Sequence, residues 1–307
     1  MIGSALPSGW APPSGQWAFA DRRFSTFISN LAITDTQWRD GVRKQAGVRA
    51  SLNRHYYGHA SEDLNSLLTG SWGKQLRVRP PRDIDVLFVL PWSVYDRFEL
   101  RLGNRQSQLL QEVRSVLNQT YSESEMRGDG QVVVVRFASM PVEVVPAFRL
   151  DNGQFVICDT TGGGSYRLTD PQMEIAVLNE SDRVNGGATR LLIRMAKQWQ
   201  RHRSVPLKSF LIERLAIEFL KGWTGRRDWR DWMVRDFFAF MADVAGRAVA
   251  MPGTSTIVPL GSDWAPKARH AHAAAARACV HEQYNNDLQA GLEWQAIFGT
   301  MIPLLAA

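Results

Sequence analysis

The chain has 307 residues, 45% hydrophobic and 21% charged, a globular composition that excludes collagen-like and disordered proteins; with only Cys158 and Cys279 it also excludes a disulfide framework and suits a reducing compartment. Thirty-six Lys and Arg against 30 Asp and Glu leave a net charge of +6, which favours an anionic partner: nucleotide, nucleic acid or phospholipid. No apolar run reaches the roughly 18 residues of a membrane helix, and residues 1–16, rich in Pro, Gly and Ser, lack the basic and apolar regions of a signal peptide, so elimination points to the cytoplasm.

Residues 17–31 and 34–56 read as helices, the second with Asp35 as its N-cap. Residues 83–90 (DIDVLFVL) are β-branched and aromatic and stop at Pro91, the pattern of a buried strand. The stretch 95–122 predicts one helix with Leu102, Leu109, Val113, Val116 and Leu117 on one side. Strands follow at 132–137 and 142–148, parted by a turn at Ser139-Met140-Pro141, and Asp151-Asn152-Gly153 turns the chain into a strand at 155–158. Past Gly162-Gly163-Gly164 the strand signal fades, and nearly everything from Pro171 onwards reads as helix. The expected layout is a flexible 1–16, an α/β (α+β) mixed-sheet lobe at 17–160 and a helical lobe at 161–307.

The chemistry concentrates at residues 70–90. Residues two apart on a strand face the same side, so Asp83 and Asp85 present two carboxylates together at the start of the predicted strand. Such a pair repels unless a cation neutralises it, and Mg²⁺ takes a few carboxylates plus water and phosphate oxygens. Glu143 is the one acidic residue between Gln131 and Leu150, inside an apolar strand pair, and is the expected third acid. Upstream, Gly70 permits close approach of the backbone to a phosphate, and Ser71 adds hydroxyl and amide donors. Gly-Ser, then Asp-x-Asp opening a strand, then a later strand acid is the order of the polymerase β-like nucleotidyltransferase fold. Each piece alone is weak; the combination in this context is specific.

With these residues the chain resembles the CD-NTase family, the cGAS/DncV-like nucleotidyltransferases of bacterial antiphage signalling. The resemblance rests on Gly70-Ser71-Trp72, residues 79–87 (RPPRDIDVL), 142–148 (VEVVPAF), 194–199 (RMAKQW) and Lys208-Ser209-Phe210. The chain departs from the family at Gln75-Leu76, where Gly-Thr is common, and at Glu143, often an Asp. The resemblance implies a bilobed enzyme that joins NTPs, ATP or GTP foremost, into a cyclic di- or trinucleotide with Mg²⁺, Mn²⁺ substituting. Asp83, Asp85 and Glu143 would hold two metals; Gly70, Ser71, Arg194, Lys197, Ser209 and Phe210 would bind nucleotide. Lys197 aligns with a triphosphate-binding lysine and Ser209 with a phosphate-contacting serine, with Phe210 placed to stack on a base. The rival readings are a transferase that modifies a protein, RNA or small molecule, and an inactive nucleotide- or nucleic-acid-binding module.

Arg190, Arg194, Lys197 and Arg201 recur at steps of 4, 3 and 4, one helical face opposite Leu191, Leu192, Met195 and Trp199. That stripe reads either as a triphosphate cradle or as a solvated basic face. His270, His272, Cys279 and His281 suggest zinc, but 270 and 281 lie about 16 Å apart along one helix and cannot converge on an ion. The resemblance also implies a product that diffuses to a separate effector and, in some relatives, a ubiquitin-like ligase acting on the C-terminus. Here the tail carries Ile302, Leu304 and Leu305, and docking onto the helical lobe is the stronger expectation. Double-stranded DNA is not expected as an activator, since a charge of +6 is modest for a duplex binder.

Overall fold

A computed structural model describes residues 16–122 and 126–306, so the expectation for 1–16 lies, apart from Gln16, outside the described residues. The chain divides into two compact units. Helix α1 (Ala20–Leu31) belongs with the C-terminal helices rather than with the sheet, and residues 33–175 with 252–255 form the sheet unit. The boundaries expected at 17 and 161 therefore move to 33 and 176.

The sheet unit opens with α2 (Asp35–Tyr57), whose N-cap is Thr34 rather than Asp35. Thr34 Oγ1 accepts from the Gln37 N–H and Gln37 Oε1 accepts from the Thr34 N–H, a reciprocal capping box. Then come β1 (Ser66–Leu68), α3 (Gly70–Gly73), β2 (Ile84–Val89), α4 (Trp92–Glu99) and α5 (Arg105–Asn118). The single helix expected over 95–122 is these last two. Gly103, at φ +79°, breaks it, and Asn104 recaps it by accepting from the Ser107 N–H at 2.8 Å. Leu102, expected on the core side, is 90% exposed in that break. The remaining strands are β3 (Met126–Asp129), β4 (Val132–Val135), β5 (Val142–Arg149), β6 (Phe155–Asp159) and β7 (Ser165–Thr169). β1 and β7 escape the sequence reading because one is three residues long and the other, SYRLT, is mostly exposed.

The sheet runs β1-β2-β5-β4-β3, with β6 joining β5 to β7. Only β2 and β5 run parallel; the other pairs are antiparallel. Alternation sorts their side chains. Ile84, Val86 and Phe88 of β2 and Val142, Val144 and Phe148 of β5 pack into the core with Leu109, Val113 and Leu117 of α5. The opposite face carries the small cluster of Leu87, Ala147 and Phe155. Asp83, Asp85 and Glu143 share the parity of that second face.

The chain leaves the sheet unit within α6 (Pro171–Val184). The helical unit comprises α7 (Ala188–His202), α8 (Ser209–Gly222), α9 (Arg230–Val244), a small hairpin of β8 (Ala248–Ala250) and β9 (Ile257–Pro259), α10 (Ala265–Gln283) and α11 (Asp287–Phe298). Trp199, Trp264 and Trp294 fill its core, each 1% exposed or less. Arg23 of α1, wholly buried, donates to Glu282 at 2.8 Å, to Asp287, and to the carbonyls of Pro303 and Leu304, both at 2.7 Å. Together with buried Ile302, this clamp holds the tail against the helices.

Candidate active site

The approach to the Gly-Ser turn is held from α2. Arg49 donates to Ser66 Oγ at 2.6 Å and to the Asp63 carbonyl at 2.7 Å, while Asn53 Nδ2 bridges the carbonyls of Ser61 and Leu64 at 2.9 and 3.0 Å. With its loop fixed, β1 delivers the turn to β2: the Thr69 N–H donates to the Asp85 carbonyl at 3.0 Å. Gly70 then opens α3 with φ +51°, and a Cβ at this position would lie 1.8 Å from Asp85 Oδ2. Only glycine satisfies both demands. Gly73 makes a second close approach, since its Cβ would lie 2.0 Å from the Leu68 carbonyl oxygen. Between them Trp72 is buried against Gly41 of α2, and Ser71 is left half-buried at the turn. Lys74, just beyond, forms a partly buried ion pair with Glu174 at 2.7 Å.

The carboxylates sit where this turn meets the sheet. Asp85 and Glu143 are register partners on parallel β2 and β5, so their side chains leave neighbouring positions on one face. Asp83 lies two residues before Asp85 on the same parity, and the Ile84 N–H, donating to the Pro141 carbonyl at 3.1 Å, fixes where the pairing starts. All three are half-buried, reachable by solvent yet backed by a dry sheet. No three acidic, His or Cys side chains among the described residues close into a cage. An open row of acids leaves positions around a hard divalent cation for water and substrate phosphate. The Gly70 cradle against Asp85 and this all-oxygen donor set fit a hard divalent cation.

In the helical unit the basic residues of α7 do not share one surface. Arg190 is tied to Asp182 at 2.5 Å and to Asn179 at 2.5 Å. Lys197 is 6% exposed and lies 3.8 Å from Glu213 of α8, itself buried. Arg194 and Arg201 are half-buried. Ser209, the first residue of α8, donates to Gln200 Oε1 at 2.9 Å, and Phe210 is half-buried. Asp182, Gln200 and Glu213 escaped the sequence reading. Their sequence distances from 190, 209 and 197 carry no periodic signal, because helix packing alone brings them together.

The model of the Second Messenger Oligonucleotide or Dinucleotide Synthetase (SMODS) domain matches residues 20–182. A probable cyclic nucleotide synthase of Bacillus cereus (strain VD146) is 22% identical over 268 residues, covering 72% of this chain and 77% of that protein. CdnC of Escherichia coli MS115-1, solved with a HORMA protein, superposes with a TM-score of 0.71 at 16% identity, over 92% of this chain and 98% of CdnC. Vibrio cholerae DncV, solved with the linear intermediate pppA(3′,5′)pG, gives 0.72 at 14% identity over 94% and 97%. The chain belongs to the SMODS family and is a CD-NTase, a nucleotidyltransferase that makes a cyclic oligonucleotide. No helix among the described residues is long and apolar enough to cross a membrane.

Proposed function

We propose that Asp83, Asp85 and Glu143 hold two divalent cations, Mg²⁺ with Mn²⁺ substituting, and that this site joins NTPs, ATP and GTP foremost, into a cyclic di- or trinucleotide. The observation that supports this most is the register pairing of Asp85 with Glu143, with the Gly70 turn laid against Asp85. Bound there, the cations would lower the pKa of the attacking hydroxyl and offset charge on the leaving pyrophosphate. Asp83 and Asp85 fix that charge at the strand start, and Glu143 supplies the third carboxylate from the next strand. Gly70 and Ser71 offer backbone and hydroxyl donors to the triphosphate. Lys197 and Arg194 add positive charge, Ser209 a hydroxyl, and Phe210 a ring for a base to stack on. In each cycle a ribose hydroxyl bonds to an α-phosphorus, the α–β bridge breaks and pyrophosphate departs; repeating this on the linear intermediate closes the ring.

The product would act on a separate effector protein in antiphage defence, within the cytoplasm. Incubating the purified protein with all four labelled NTPs and Mg²⁺ or Mn²⁺, followed by mass spectrometry, tests the reading. A cyclic product is expected. Label transferred instead to protein, RNA or a small molecule, or nucleotide bound without turnover, would overturn it.

A further inference from the structure

The helical unit holds a groove of about 340 Å³ that the carboxylate site does not use. Three cationic side chains and a histidine line it: Arg203 beyond the end of α7, and Lys267, Arg277 and His270 of α10. Its floor is apolar and made of small groups, Ala271 and Ala274 of α10 beside Ile297 of α11, all three buried. On α10, residues 267, 270, 274 and 277 recur at helical spacing and so share a face. Alanine at 271 and 274 leaves a slot that larger side chains would fill.

Two of the cations are already fixed. Lys267 Nζ donates to the carbonyls of Arg203 and Ser204 at 2.7 and 2.8 Å, using two of its three donors. Arg277 makes a two-pronged bond to Glu293, both distances 2.7 Å. Arg203 and His270 have no hydrogen bond or ion pair from their side chains among the described residues. One end of the groove therefore gathers Arg203, Lys267 and His270 with no acid bonded to them. The other end holds Arg277, a donor whose guanidinium is kept in place by Glu293. The helix rise from 267 to 277 is about 15 Å.

We propose that this groove is a second ligand site, built for a mononucleotide. The phosphate sits among Arg203, Lys267 and His270, the flat base lies in the alanine slot, and its polar edge meets Arg277. Charge alone would hold any anion; the apolar slot with a donor at its far end selects a heterocycle carrying a phosphate. The site stands on α7, α10 and α11 alone, so it does not depend on the assignment of Asp83, Asp85 and Glu143.

Titration calorimetry of the full chain with AMP, with inorganic phosphate and adenosine as separate arms, tests this at fixed ionic strength. AMP is expected to saturate one site that Arg203→Glu with His270→Glu weakens at least tenfold, while Asp85→Asn leaves it unchanged. Both substitutions fall on exposed side chains, so folding is preserved. Ala274→Leu should also weaken AMP at least tenfold by filling the slot without touching a charge. AMP binding unchanged by the two glutamate substitutions, AMP binding lost in Asp85→Asn, no saturable AMP binding, or phosphate binding as tightly as AMP would each overturn the proposal.

Discussion

In the sheet unit, Asp85 and Glu143, far apart in sequence, become partners on one face; in the helical unit, four bases spaced along one helix part company. Asp85 and Glu143 become neighbours because register acts on every residue of β2 and β5 alike, and Asp83, one residue before β2, keeps their parity. On α7, equal spacing places Arg190 and Lys197 on one stripe, yet Arg190 goes to Asp182 and Lys197 faces Glu213. Strand alternation carries position and environment at once, because one sheet face is shared by all its residues. Helical periodicity carries position only, and the environment comes from whichever helix packs alongside. The acids should therefore act as one unit under mutation, and the bases singly.

The largest effect tests the first half. Asp85→Asn keeps the shape but removes the charge facing Glu143, and turnover should fall more than about 100-fold, beyond the 10–100-fold typical of groups that only support a metal ligand. Asp83→Asn and Glu143→Gln should fall together with it, and the double variants should lose little more. Single-turnover rates with Mg²⁺ decide it, and near wild-type synthesis in any one variant would break the unit. Next comes Gly70→Ala. Its methyl group would sit 1.8 Å from Asp85 Oδ2 in a backbone conformation at φ +51° that costs alanine about 1–2 kcal/mol. Moving the carboxylate aside should lower kcat by about 10–100-fold, as for loss of a metal ligand's support. An unchanged kcat would mean that Asp85 need not lie against the turn.

What was legible in the sequence follows the same division. The run DIDVLFVL ending at Pro91 announced β2, and the lone acid in VEVV announced a polar position in an apolar strand. β7 was illegible because its exposed edge needs no apolar alternation, and α1 was assigned to the wrong unit because an amphipathic helix does not say which partner covers its apolar face. The break between α4 and α5 turned on Gly103 and Asn104, a signal present in the sequence but outweighed by the leucines around it.

In the helical unit, Lys197→Ala should raise the KM for NTP about tenfold, the scale of one charge-assisted hydrogen bond. It should also lower Tm, since Glu213 would be left buried without its cation. Adding Glu213→Gln should restore Tm and leave KM high. If KM recovered as well, the lysine would matter only through its pairing with the acid.

Buried charge in this unit also makes stability depend on pH. Burial pushes the Asp231 carboxyl up to about 7, against a hydrogen bond from the Trp232 N–H, and burial likewise raises Glu282 despite Arg23. A carboxyl raised on folding holds a proton that the unfolded chain releases from about pH 4 upward, so stability falls as pH climbs from there to about 7 and then levels. Tm should be higher at pH 5.5 than at pH 8, and Asp231→Asn should shrink that difference by a few degrees, at about 2–4 °C per kcal/mol. An undiminished slope would place the effect on other groups.

The smallest effect belongs to Ser209. Its hydroxyl donates to Gln200 Oε1, and Gln200 Nε2 donates in turn to the Leu207 carbonyl, so the pair closes the connection between α7 and α8. A hydroxyl already committed to Gln200 has one less reason to be held for phosphate, although its lone pairs and the turn it braces remain beside the start of α8. Ser209→Ala removes one neutral hydrogen bond worth about 0.5–1.5 kcal/mol. If the bond only braces the connection, Tm drops and the KM for NTP stays put; if the hydroxyl also meets phosphate, KM rises, by about threefold for a loss of ~0.7 kcal/mol. A KM rise is expected, and Ser209→Thr, which keeps the hydroxyl, should reverse it. Failure of threonine to rescue KM would reduce Ser209 to a brace of the connection between α7 and α8.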